Sequence, residues 1–295
     1  MPGVLIVSLW TGLALTFLIL VVLVVTGLAG WRALDKRAEA RVMAALHAVQ
    51  PETPPVFDMA MVEDLPEPAQ RYFRFTIAPG TPLYTVVDIE MEGRLSLGTA
   101  DAPNWMEMTA RQVLGAPDGF LWQPSTSFGG LSMSGSDAAL RGTSWTRFWL
   151  LGLFPVVRAG GNDDHARAAF GRYVGEALFW TPAALLPRDG IVWESLGENS
   201  ARMVLTAYGM EQPVEVHVDA RGAPTRIVFP RWSDANPQKQ FQIQPFGGDL
   251  SEYRTFEGFT LPTVVNAGNF YGTDDYFPFF QVRVTSVSFP PASRS

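Results

Sequence analysis

The histidines of this chain are not arranged as metal ligands usually are. The three of them, His47, His165 and His217, fall in separate segments of the sequence. There is no H-E-x-x-H pair, no Asp-rich calcium loop and no cysteine. Because protein metal sites draw on such residues at short, regular spacings, the sequence predicts no metal site. The lack of cysteine also excludes disulfides and thiolate chemistry.

The serines offer no better case for catalysis. Ser132, Ser134 and Ser136 alternate with other residues beside two glycines, but the G-x-S-x-G spacing of a nucleophile elbow is absent. We expect a Ser/Gly turn before Asp137. Neither G-x-x-x-x-G-K nor G-x-G-x-x-G occurs, so no nucleotide cofactor is expected. The sequence therefore predicts a protein without catalytic residues and without a cofactor.

Two sets of charged residues lie on one predicted helix. Asp163 and Asp164 stand at its start, where acidic side chains favour the helix dipole. Arg172 and Glu176 are four residues apart and can form an ion pair on one face. The pair could join neighbouring elements, or it could position a ligand if the helix lies inside a concave sheet. An enzyme acting on lipids or glycans through Glu176 or Asp164 is a further alternative.

Aromatic residues are abundant, with nine Trp and twenty Phe. Residues 148–154, which contain Phe148, Trp149 and Phe154, are too few to span a bilayer and could form a buried strand, a cavity wall or a surface that enters lipid. Arg172 could contact an anionic headgroup in an aromatic groove. The candidate ligand-binding residues are Arg172, Tyr173, Glu176, Trp180, Trp105, Trp122 and Trp149.

The elements that must position these residues are mostly strands. Apolar and polar residues alternate strictly over 87–92 and again over 214–219, as in strands with one buried face. Similar segments, separated by Gly and Pro, predict about ten antiparallel strands in a sheet that curves or closes. Residues 163–179 instead show helical spacing. We predict an α+β fold, a curved antiparallel half-barrel packed around this one long helix.

The first thirty-one residues contain no charged side chain. The apolar stretch over residues 4–28 would be about 37 Å long as a helix, enough to cross a hydrocarbon core of about 30 Å. Trp10 and Trp31 lie near the expected interfaces. A cleaved signal peptide is the alternative, although the stretch is long for one and no basic residue precedes it. We predict a transmembrane helix over residues 1–31 of a single-pass protein.

The next segment predicts a juxtamembrane helix and a linker over residues 32–55. Apolar residues recur at helical spacing over 33–49, and Pro51, Pro54 and Pro55 follow. Residues 56–295 are expected to form one β domain containing the helix 163–179. Four basic residues between Arg32 and Arg41 could hold the juxtamembrane helix against anionic lipids. By the positive-inside rule they favour a cytoplasmic domain, but the sequence leaves the side of the membrane open.

Three motifs together resemble a known family. They are residues 65–75, residues 172–177 with 180–187, and residues 253–254 with 258–262. They resemble an uncharacterised bacterial family, a domain of unknown function, whose members pair an N-terminal membrane helix with a β-rich domain. The hairpin over 253–262 also looks like part of the curved half-barrels of lipoprotein-sorting carriers. That resemblance implies a fold that holds acyl chains between a bent sheet and inner helices, and a location at the bacterial inner membrane.

Two functional hypotheses follow from these patterns. In the first, a membrane-anchored domain binds an apolar or lipid-like ligand at the bilayer surface without catalysis. In the second, the domain is an envelope scaffold that contacts another protein and has a fully packed core. The formal net charge of −7 makes nucleic acid an improbable partner in either case. A lipid bilayer, an apolar small molecule and an envelope protein are the expected partners.

Overall fold

The structure, a computed structural model, describes the backbone of residues 2–291 and the side chains of these residues other than 2–9 and 128. Its helices are α1 (Pro2–His47), α2 (Glu67–Thr76) and α3 (Asp163–Trp180), with short 3-10 turns at Met59–Val62 and Pro182–Leu185. The α1 helix runs without interruption through residue 31, where the expected transmembrane and juxtamembrane segments meet. No proline lies between residues 3 and 50, so nothing in this stretch removes a backbone donor.

Thirteen strands form one antiparallel sheet in the described part of the chain. They are β1 (Val87–Ser96), β2 (Trp105–Gly115), β3 (Gly119–Phe128), β4 (Leu131–Leu140), β5 (Thr143–Leu150), β6 (Phe154–Gly160), β7 (Ile191–Gly197), β8 (Ser200–Ala207), β9 (Met210–Val218), β10 (Pro224–Ser233), β11 (Gln242–Phe256), β12 (Phe259–Asn269) and β13 (Phe277–Ser288). Their order is β6-β5-β4-β3-β2-β1-β13-β12-β11-β10-β9-β8-β7. The pairing of β1 with β13 joins the two halves of the domain.

The sheet is open and curves around α3. The helix contacts β2 to β6 from one half of the sheet and β9, β10 and β12 from the other. The predicted fold class, α+β with a curved antiparallel sheet around one long helix, is therefore confirmed. The segment expected as a Ser/Gly turn before Asp137 is instead part of β4. The turn lies before this strand, at Gly129 and Gly130.

Two features of its sequence place α3 in the concavity. The Asn162 side chain accepts a hydrogen bond from the His165 backbone N–H and so caps the first turn. Gly171 and Gly175, four residues apart, then face the sheet where a Cβ would lie 2.7 Å from the Gln212 side chain and 2.6 Å from the Phe229 ring. The absence of these two side chains allows the helix backbone to approach β9 and β10 closely.

The second half of α1 packs on the opposite, convex face. Val42 and Leu46 are buried against Val113, Leu121 and Ala138 of β2, β3 and β4. His47 Nε2 lies 2.8 Å from Asp88 Oδ1 on β1. The segment expected as a juxtamembrane helix thus lies on the sheet. The physical reason is that its apolar positions complement the apolar positions of three strands.

Near Trp31 and Asp35, the contact between α1 and the sheet is polar and aromatic. The buried Asp35 carboxylate accepts hydrogen bonds from Arg147, Arg158 and the Trp149 indole. The Trp31 and Trp149 rings meet edge to face with centroids 5.7 Å apart. Burial by itself would raise the pKa of Asp35, but these hydrogen bonds and the arginine charges outweigh it and hold the pKa below its usual value. The helix is therefore attached to the sheet from Trp31 to His47.

Candidate ligand-binding cavity

A partly enclosed cavity of about 430 Å³ lies between α3 and the concave face of the sheet. This size is within the range of about 300–1,000 Å³ that is usual for small-molecule sites. Its walls are mainly apolar and come from nearly the whole width of the sheet: Leu95, Met106, Trp122, Met133, Phe148, Val157, Ile227, Phe229, Phe246, Leu250, Val265, Ala267, Phe279 and Phe280, with Phe179 and Trp180 from α3. The described residues do not form the fully packed interior that the scaffold hypothesis assumed.

A charged group lies on one wall of this cavity. Arg172 Nε is 2.8 Å from Glu176 Oε1, and Arg172 Nη1 is 2.5 Å from Asp137 Oδ2 on β4. The remaining carboxylate oxygens accept hydrogen bonds from Gln112 and Thr146. Burial would lower the pKa of Arg172, but the charges of Glu176 and Asp137 outweigh it and raise the pKa. Both carboxylates and this guanidinium are thus satisfied by protein partners.

Arg231, on β10, lines the same cavity but has different surroundings. Its guanidinium carbon lies 4.7 Å from the centroid of the Phe246 ring. Among the described residues it makes no ion pair or hydrogen bond, and its Nε is buried without an acceptor. Burial and the charge of Arg172 lower the pKa of Arg231 to about 10, so it remains protonated at neutral pH.

Four of the seven candidate residues from the sequence line the cavity: Arg172, Glu176, Trp180 and Trp122. Tyr173 does not, because it follows Arg172 by one position and turns away. Its hydroxyl donates to the Pro117 carbonyl at 3.0 Å, and its ring packs against Phe120 and Phe170. The four cavity residues come from α3 and β3, which the curvature of the sheet brings together.

The other two candidates lie elsewhere for reasons of strand geometry. Trp149 is adjacent to the cavity residue Phe148, and neighbours on a strand face opposite ways, so Trp149 points to the convex face and contacts Asp35. Trp105 begins β2 and packs against Phe277 and Arg94. Residues 148–154 form a hairpin rather than one strand, with Phe148 in the cavity wall and Phe154 half exposed.

Sequence reasoning missed Arg231. The sequence pattern that could have identified it is an alternation: Ile227 and Phe229 lie on the buried face of β10, and Arg231 follows two positions later on the same face. Arg231 lies within the strand because β10 continues to Ser233. No set of three or more potential metal-binding His, Cys, Asp or Glu side chains lies together in the described part of the chain.

The position of α1 distinguishes one edge of the sheet, the one formed by the ends of the strands and their turns rather than by an outermost strand. The turns over 97–104, 129–130 and 151–153 all lie at the same edge, because each joins antiparallel neighbours at that end. Near this edge Arg32 Nη2 donates to Ser134 Oγ at 3.1 Å, whereas His47 contacts β1 near the opposite edge. The first part of α1 therefore leaves the domain beyond these turns, which we call the helix-exit edge.

The helix-exit edge is apolar. Leu97, Leu131, Leu151 and Phe154 stand at its turns and are 45–65% exposed. The cavity residues Leu95 and Met133 lie two and three positions from the same turns. One described helix, within Trp10–His47, is long and apolar enough to cross a membrane, and its apolar part is not covered by the domain.

A family model matches residues 55–282 of the chain. It is that of a family of unknown function, DUF6544. This chain belongs to that family. The family resemblance inferred from the three sequence motifs is therefore confirmed. No curated protein sequence matches the chain.

Two solved structures are similar in fold to this DUF6544 protein. One is described as an outer membrane lipoprotein-sorting protein domain from Vibrio parahaemolyticus, with 10% identity and a TM-score of 0.39 over 71% of this chain and 87% of that one. The other is a LolA superfamily protein from Nitrosomonas europaea, with 7% identity and a TM-score of 0.41 over 75% of this chain and 91% of that one.

Proposed function

We propose that this protein is anchored by the first part of α1 in the bacterial inner membrane and binds an apolar or lipid-like ligand in its cavity, without catalysis. The cavity is the observation that carries the proposal. An unfilled apolar space inside a domain forgoes the packing contacts that its walls would otherwise make. An apolar ligand would supply them, and burying about 200 Å² of apolar surface contributes roughly 5 kcal/mol.

The attachment of α1 supports a site at the bilayer surface. Because residues 31–47 are held on the convex face, a helix that continues into the membrane would direct the helix-exit edge towards the lipid. The exposed leucines and Phe154 at that edge suit an interfacial position. A ligand could then pass between the bilayer and the cavity over a short distance.

The test uses the full chain in phosphatidylcholine nanodiscs and the uncharged fluorophore N-phenyl-1-naphthylamine, with empty discs as the blank. We expect saturable binding by the natural sequence. Ala267→Phe places a ring into the cavity and should weaken binding about tenfold, a change of about 1.4 kcal/mol. The control is Val264→Phe on the outer face of the same strand, which should bind normally. Absence of saturable binding, or equal binding by both variants, would contradict the proposal.

A further inference from the structure

The charged groups at the cavity divide into those with protein partners and one without. Asp137 and Glu176 are both hydrogen-bonded to Arg172, and each accepts a further bond, from Thr146 and Gln112 respectively. Their charges are thus paired with Arg172, although both carboxylates line the cavity. Arg231 is partly buried, forms no ion pair with the described residues, and has a buried Nε without a hydrogen-bond acceptor.

Such a group is costly to maintain. The buried Nε–H of Arg231 has lost its hydration without gaining an acceptor, and it belongs to a charged group. The Phe246 ring packs against one face of the guanidinium plane and does not supply that acceptor. The indole N–H groups of Trp122 and Trp180, both lining residues, are also buried without acceptors. Three buried N–H groups of lining residues therefore have no acceptor in the described structure.

From these unpaired donors we infer that the ligand is an amphiphile with one anionic oxygen headgroup, a carboxylate or a phosphate monoester, and that Arg231 binds this headgroup. The inference rests on the proposed function and names its ligand class. An apolar chain would lie along Phe148, Phe229 and Phe280, while the headgroup oxygens would accept from the guanidinium, whose fork matches such groups. The sequence suggested Arg172 for this role, but its charge is already neutralised by Asp137 and Glu176.

The experiment is displacement of N-phenyl-1-naphthylamine from the full chain in phosphatidylcholine nanodiscs by laurate, dodecyl phosphate or uncharged dodecanol. Comparing one competitor on two variants cancels its partitioning into the disc lipid. Arg231→Gln removes the charge, and retained binding of the fluorophore reports an intact cavity. The matched control is Arg226→Gln, an exposed arginine on the opposite face of β10.

In Arg231→Gln, we expect the concentration of at least one anionic competitor that displaces half of the fluorophore to rise about tenfold. The reason is that a charge-assisted hydrogen bond to the headgroup is lost. Dodecanol should be unaffected, and Arg226→Gln should resemble the natural sequence. The competitor that loses potency distinguishes a carboxylate from a phosphate headgroup. If the fluorophore binds but neither anion loses potency in Arg231→Gln, the inference is overturned and the proposed function stands. If the fluorophore does not bind the natural sequence, both fail.

Discussion

Two arginines on the same cavity wall illustrate how surroundings decide the role of a residue. Arg172 is held between Asp137 and Glu176, so its charge stabilises the contact of α3 with β4. Arg231 has no such partners and is available to a ligand. Replacing Arg172 should therefore affect mainly the free energy of unfolding, whereas replacing Arg231 should affect mainly ligand binding.

The stability effect can be measured with Arg172→Met. This change leaves two largely buried carboxylates without their cation, and we expect a loss of about 3–5 kcal/mol in the free energy of unfolding. Urea titration in a mild detergent, followed by tryptophan fluorescence, reports it. Arg141→Met is the control, because the Arg141 side chain is 54% exposed and its pair with Asp118 should contribute less than about 1 kcal/mol. Equal losses in both variants would show that the Arg172 cluster is not a buried network.

At the scale of elements, the main feature is the attachment of α1 to the convex face. One carboxylate, Asp35, joins the helix to β5 and β6 through Arg147, Arg158 and Trp149. The apolar contacts of Val42 and Leu46 lie two to three turns further along. The polar end therefore decides whether the part of α1 nearest its exposed apolar segment stays on the sheet.

We expect Asp35→Asn to loosen this end of the helix by about 3 kcal/mol, because Arg147 and Arg158 lose their anionic partner. Hydrogen–deuterium exchange of the backbone amides between residues 31 and 40 should then quicken. Asp101→Asn, an exposed change in the turn after β1, should leave their exchange unaltered. The idea would be abandoned if exchange near Asp35 stayed as slow as in the natural sequence.

The same contact has a predicted acid dependence. Because the folded pKa of Asp35 lies below its ordinary value of 3.8, its contribution is complete above that pH. It is lost as the pH falls through the lowered folded pKa, where protonation removes the charge that Arg158 and Arg147 bind. The protection of the amides between residues 31 and 40, which is the intrinsic exchange rate at the same pH divided by the measured rate, should therefore fall below about pH 3.8 in the natural sequence but not in Asp35→Asn. If the acid-induced change is equally large in the natural sequence and in Asp35→Asn, the titrating group is not Asp35.

At the scale of the whole molecule, the proposal orients the domain with its helix-exit edge towards the bilayer. Since the chain has no cysteine, one introduced thiol gives a unique label. In nanodiscs, a fluorophore at Phe154→Cys should be quenched by nitroxide-labelled lipid, whereas one at Thr143→Cys, at the opposite edge of β5, should not. Equal quenching at both positions would exclude this orientation.

Local sequence patterns determined much of this protein. The alternation over residues 87–92 predicted β1, and the spacing of apolar residues over 163–179 predicted α3, because both depend only on neighbours along the chain. The uncharged start predicted the long apolar helix. The same patterns also placed Arg172 and Glu176 on one face of α3.

Tertiary structure decided what these elements enclose. The cavity depends on β1 pairing with β13, nearly two hundred residues apart, and on α3 lying between the two halves of the sheet. Whether Phe148 or Trp149 faces the cavity depends on which side of the sheet that helix occupies, since alternation defines two faces without saying which is concave. The unpaired state of Arg231 likewise depends on partners distant in sequence, and no local pattern contains that information.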